Sequence, residues 1–103
     1  MSALRNFTFA KALMEIDGEV LTLDVLGVLV EGGEGNAAGL AMNLNGEQEP
    51  TPAEMRVIEG SLFVLDELDM VRRTLVQPGV SSVFNIWEPT GRGRSFHEWL
   101  GRA

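Results

Sequence analysis

The sequence predicts an α+β fold. A small antiparallel sheet, made of a β-hairpin plus one or two further strands, carries one long helix on its face and ends in a short C-terminal helix. Three observations lead there. Asp17-Gly18 stands between two apolar runs, a hairpin signal because a type I′ turn needs positive φ at both central positions. Residues 51–77 combine helix-start chemistry with apolar residues at helical spacing. Residues 80–87 then read as a strand, and residues 95–100 as a short amphipathic helix.

In chain order, residues 1–6 form a lead-in, and runs 7–16 and 19–30 are the two hairpin strands. A two-residue turn pairs Ile16 with Glu19 and counts outward. One face then joins Met14 to Leu21, Ala12 to Leu23 and Ala10 to Val25, all apolar. The other joins Leu13 to Thr22, Lys11 to Asp24, Phe9 to Leu26 and Phe7 to Val28, so that an opposite-charge pair meets across the ladder. The far end, with Phe7, Phe9, Leu26, Val28 and Val30, is apolar on both faces and needs a cover. Residues 31–39, EGGEGNAAG, form a glycine-rich turn. Two periods compete over residues 37–45: Ala37, Leu40, Ala41 and Leu44 fit a helix, whereas Leu40, Met42 and Leu44 fit a strand. The loop before them suits a wide hairpin and favours a third strand. Asn45-Gly46 and residues 47–50 lead into the long helix.

That helix starts with Thr51 as N-cap, Pro52 at the first helical position and Glu54 completing a capping box. Met55, Ile58, Leu62, Leu65 and Leu68, then Val71 and Leu75, draw one apolar stripe. Arg72 and Arg73 fall in the expected last turn, where the helix dipole favours cations, and Pro78-Gly79 is the stop. Gly60 costs about 1 kcal/mol against Ala in an exposed helix interior, which predicts a kink or a close approach there. Val57, Phe63, Val64 and Met70 widen the apolar surface beyond one stripe. After the strand at 80–87, residues 89–94, PTGRGR, read as a flexible turn. Ser95 with Glu98 forms a second capping box, opening a helix in which Phe96, Trp99 and Leu100 share a face. Residues 1–103 form a single domain on this reading.

The charge is unevenly laid out. The net charge is −7, yet residues 15–70 hold 13 Asp and Glu against Arg56 alone. Residues 71–103 reverse the sign, with Arg72, Arg73, Arg92, Arg94 and Arg102 against Glu88 and Glu98. Such an acidic body repels duplex nucleic acid and either attracts a basic partner or serves solubility. With 45% hydrophobic and 22% charged residues the chain has the material for a core and is not of disordered composition. The sequence has no long apolar span and no basic-then-apolar leader, so the expected setting is soluble and cytoplasmic.

Several chemistries are disfavoured. The absence of cysteine removes disulfides and thiolate metal sites. Gly33-x-Gly35 lacks the crossover helix and acidic ribose partner of a dinucleotide loop, and Glu31 and Glu34 beside it would repel phosphate. His97 is the sole histidine, too few for a multi-histidine metal site, and Ser61, Ser81, Ser82 and Ser95 lie in no nucleophile-elbow pattern. Asp66, Glu67 and Asp69 crowd together, but acid–base catalysis needs two carboxylates in contrasting environments within a pocket. No cofactor or metal is implied, and an enzyme is not expected.

A binding protein remains. Phe84, Trp87, Phe96 and Trp99 concentrate four aromatics near the C-terminus with Arg92 and Arg94 among them. Trp and Arg are the residues enriched at binding hot spots. The same aromatics also fit core packing, or stacking on single-stranded nucleic acid. The expected function is a non-enzymatic acidic interaction module, of adaptor, inhibitor, immunity or chaperone type, that occupies a basic partner surface. Its partner-binding residues would be Trp87, Arg92, Arg94, Trp99, Asp66, Glu67 and Asp69. The alternative is a structural subunit of a homo-oligomeric or virion-type assembly, drawing on the hairpin's two-sided apolar end and the wide apolar surface of the long helix.

Overall fold

The computed structural model describes residues 3–16, 20–46, 48–74, 79 and 81–102. Among them the chain is mostly helical. The order is α1 (Ala3–Ile16), α2 (Val20–Gly32), α3 (Ala37–Leu44), α4 (Pro52–Glu67), β1 (Val71–Arg73), a 3-10 turn at Ser82–Phe84, β2 (Trp87–Pro89) and α5 (Gly91–Arg102). The two strands pair antiparallel, Val71 opposite Pro89, Arg72 opposite Glu88 and Arg73 opposite Trp87. The α+β class holds in this coarse form, a helical body with a two-stranded sheet.

The predicted hairpin is corrected: runs 7–16 and 20–30 are helices, and the Asp17-Gly18 turn with Glu19 lies outside the described residues. The buried residues explain the difference. On α1 they are Phe9, Ala12 and Ile16, and on α2 they are Thr22, Val25, Leu26 and Leu29. Both sets follow the 3.6-residue period rather than alternation. Apolarity on both faces of the imagined sheet was the mark of a helix buried on several sides. α2 touches α4, α5 and β2 and is central to the core. Lys11 and Asp24, matched across the imagined ladder, are both exposed and on different helices.

Residues 37–44 take the helical alternative rather than the favoured strand. Asn36 caps α3 by accepting from the Gly39 amide at 2.7 Å, which fixes a helix start that the loop reading overlooked. Ala37, Leu40 and Ala41 are buried at helical spacing. The glycine-rich turn expected at 31–39 shrinks to residues 33–36, because α2 runs on to Gly32 and α3 starts at Ala37. Gly33 has φ 87° and its amide donates to Leu29 at the end of α2, while Gly35 and Trp87 exchange backbone hydrogen bonds at 2.8 and 2.9 Å.

α4 begins as predicted. The Thr51 hydroxyl accepts from the Glu54 amide at 3.2 Å, and the Glu54 carboxylate accepts from the Thr51 amide at 3.0 Å, with Pro52 in the first turn. Ile58, Leu62 and Leu65 are buried along its stripe. It ends ten residues' worth of pattern early. The Asp69 amide donates to Asp66 and the Met70 amide to Leu65, with Asp69 at φ 58°. These are the two hydrogen bonds of a Schellman stop, with buried Leu65 and Met70 supplying its apolar contact. Arg72 and Arg73 are therefore strand residues, and Arg72 pairs with Glu88 across the ladder. Pro78 and residues 75–77 lie outside the described residues. The strand expected at 80–87 is displaced to Trp87–Pro89, behind the 3-10 turn.

The predicted flexible turn at 89–94 is instead the end of β2 at Pro89, Thr90, and the first turn of α5 from Gly91. Thr90, not Ser95, marks the helix start: its hydroxyl accepts from the Gly93 amide at 3.0 Å and donates to the Asp69 carbonyl at 2.6 Å. The Thr90 amide donates to Met70. A Cβ on Gly93 would lie 1.9 Å from the Met70 carbonyl oxygen, so only glycine lets α5 sit this close to the chain leaving α4. Phe96 of α5 is fully buried and meets Phe9 edge-on at 5.4 Å, while Trp99 stacks on Phe96 at 5.8 Å.

Candidate protein-binding face

Asp66, Glu67 and Asp69 are all exposed at the C-terminal end of α4. This is the wrong end of a helix for negative charge. The unsatisfied carbonyls there carry about half an electron of negative charge, and each nearby carboxylate costs about 0.3–1 kcal/mol when exposed. The last turn of α4 holds no basic residue. Compensation comes from across the junction, where the Arg92 Nε donates to the Leu68 carbonyl at 3.0 Å. Arg92 is half-buried, its guanidinium 5.6 Å from the Phe9 ring centroid, so it joins α5 to α4 and α1. Arg92 thus meets the backbone at Leu68, within the segment that carries the three carboxylates.

The other expected anchors are dispersed. Trp87 is 1% exposed, its ring edge-on to Phe63 at 5.7 Å and the Arg73 guanidinium 5.8 Å from its centroid. It is a core residue. Trp99 is half-buried in a separate cluster with Phe9 and Phe96. Arg94 is exposed on the first turn of α5. His97 is half-buried with its ring against Gly27 of α2, a packing role.

A second feature borders the acidic end. Val57, Phe63 and Val64 are exposed on α4, Val57 by 56%. Val57, Gly60, Ser61 and Val64 fall at i, i+3, i+4 and i+7, and with Glu15, Ile16 and Thr22 they line an open groove of about 420 Å³. Its floor is polar but satisfied, since the buried Thr22 hydroxyl donates to Ser61 Oγ at 3.2 Å, tying α2 to α4. Gly60 stands at the groove; among the described residues nothing but its chain neighbours and its own helix backbone comes within 4 Å of where its Cβ would be. The sequence singled out Val57, Phe63, Val64 and Met70 as widening the stripe, and Gly60 as the site of a kink or close approach. It gave no sign that Glu15, Ile16 and Thr22 would face them.

Among the described residues Glu15 is the one titratable side chain that lines the groove. Among the described residues no group of three or more His, Cys, Asp or Glu could hold a metal ion, and no helix is long and apolar enough to cross a membrane. What the face offers is an exposed apolar strip running into a carboxylate-rich helix end. Compared with protein-family models, curated protein sequences and solved structures, the chain matches none, and the functional reading rests on this face.

Proposed function

We propose that the protein is an acidic interaction module that binds a protein partner through a basic surface. The observation that supports this is the end of α4: Asp66, Glu67 and Asp69 stand exposed where the helix dipole opposes them. A partner's Lys or Arg side chains would relieve that repulsion on binding, so charge that is unfavourable in the isolated chain becomes favourable in the complex. The adjacent strip of Val57, Phe63 and Val64 supplies apolar area that a partner removes from water.

The test pairs the wild-type chain with Asp66→Lys/Glu67→Lys/Asp69→Lys as immobilised baits. A partner retained by the wild type and lost by the triple variant is purified, and its association rate is followed against salt. Electrostatic steering predicts a fall of about tenfold or more between low and high salt, with the dissociation rate changing far less. A partner that binds both baits equally, or whose association rate ignores salt, overturns the reading.

A further inference from the structure

We infer that the groove between α4 and the end of α1 is a seat for a basic amphipathic helix of the partner; the inference rests on the reading of the chain as a module for basic partners. Three features of the groove point to a helix. Val57, Gly60, Ser61 and Val64 run in a line along α4, so the groove follows a helix axis for about 10 Å. Such a line is what helix-on-helix packing uses, with axes about 8–10 Å apart and closest where side chains are smallest. Gly60 and Ser61 put the smallest side chains at the middle of the line, with Val57 and Val64 at its ends. Gly60 serves no packing need within the described chain, because the space where its Cβ would stand is empty. A glycine in an exposed helix interior is destabilising, and a second backbone approaching closely is a physical use for it.

Charge selects which helix. Glu15 lines the groove itself. Glu59 and Asp66 fall on the far side of α4, whereas Glu54 lies one turn before Val57 and Glu67 one turn beyond Val64, both beside the line. Against these stand Arg56 on α4 and Lys11 on α1, both exposed. The surplus is negative, so the occupant presents Leu- or Val-type side chains to Val57 and Val64 and Lys or Arg side chains to the rims. A second copy of this chain is disfavoured in this seat, since it would bring a net −7 against another −7.

The probes are two synthetic peptides of about 18 residues, five turns of helix. They share one leucine face, and one carries Lys and the other Glu on the opposite face. Binding is read by amide chemical shifts of the isotope-labelled full chain and by titration. The blocking variant is Gly60→Leu, which fills the groove from an exposed helix position; its thermal midpoint is taken alongside to show that it is folded. The expected result is binding of the Lys peptide with shifts centred on residues 57–64 and Glu15, weakened about tenfold or more in Gly60→Leu. The Glu peptide should bind at least about tenfold more weakly than the Lys peptide. Lys-peptide binding that maps to Asp66, Glu67 and Asp69 alone, or that survives Gly60→Leu, overturns the groove and leaves the basic-partner reading standing. Equal binding of both peptides overturns the choice of a basic occupant. No binding of either peptide overturns the seat, while the charge-reversal capture decides the broader reading separately. Concentration-dependent shifts at residues 57–64 without peptide would identify a second copy as the occupant and overturn the inference.

Discussion

Two glycines on helices show how one missing Cβ serves opposite ends. At Gly93 the absent atom would collide with the Met70 carbonyl, so the glycine holds the α4–α5 junction together. At Gly60 the absent atom would meet nothing among the described residues, so the glycine only weakens α4. The same substitution should therefore have opposite signs. Gly93→Ala forces α5 away from Met70 and from the Thr90 and Arg92 hydrogen bonds, and should cost about 1–3 kcal/mol, the range of an overpacked site. Gly60→Ala should raise stability by about 1 kcal/mol through helix propensity. Urea unfolding of both variants measures the pair. A destabilised Gly60→Ala would show that α4 already uses the gap within the monomer, and would remove the reason to look for an outside occupant.

At the scale of the element, α4 shows what was legible and what was not. Its start was readable because Thr51, Pro52 and Glu54 act on one another within a single turn. Its end was not, because the apolar stripe continues through Leu68 and Val71, and the stop uses Asp69 at positive φ where a glycine would have announced it. Asp is among the few residues that tolerate this conformation. α1 and α2 were misread for a related reason. Asp17-Gly18 is a local signal, and the Val- and Leu-rich run that follows looks like strand, yet burial on several sides overrode propensity. The length of the run, well beyond a usual strand, was the available warning. The acidic end of the candidate face could be read from sequence because its residues are contiguous. The groove could not, because Glu15, Ile16 and Thr22 reach α4 only through the tertiary fold. The misplaced helix end also changes the electrostatics. With Arg72 and Arg73 moved to β1, Asp66 and Glu67 face the helix dipole with Arg92 as the neighbouring cation. Asp66→Asn and Glu67→Gln should each stabilise the chain by about 0.3–1 kcal/mol at low salt. The gain should shrink as salt screens the exposed charges. Thermal unfolding at two ionic strengths checks this, and a gain independent of salt would mean that the dipole is not its cause.

For the whole molecule the question is whether the apolar strip of α4 closes on a second copy, as an assembly subunit would require. Two quantities oppose it. A stable dimer buries about 800 Å² on each partner, roughly an eighth of the 6266 Å² that this chain exposes. The strip of Val57, Gly60 and Val64 spans only about 10 Å of one helix, with Phe63 beside it. A symmetric contact there would also set two acidic helix ends near each other, and each copy already carries −7. Screening should ease that repulsion without supplying the missing area. Light scattering on the eluting full chain should therefore give the monomer mass at low and at high salt alike. A discrete oligomer that appears only at high salt would mean that apolar contact suffices once charge is screened. One that persists at both salts would mean that the apolar surface extends further than the strip on α4. Either result would replace the basic partner by the chain itself as the occupant of this face.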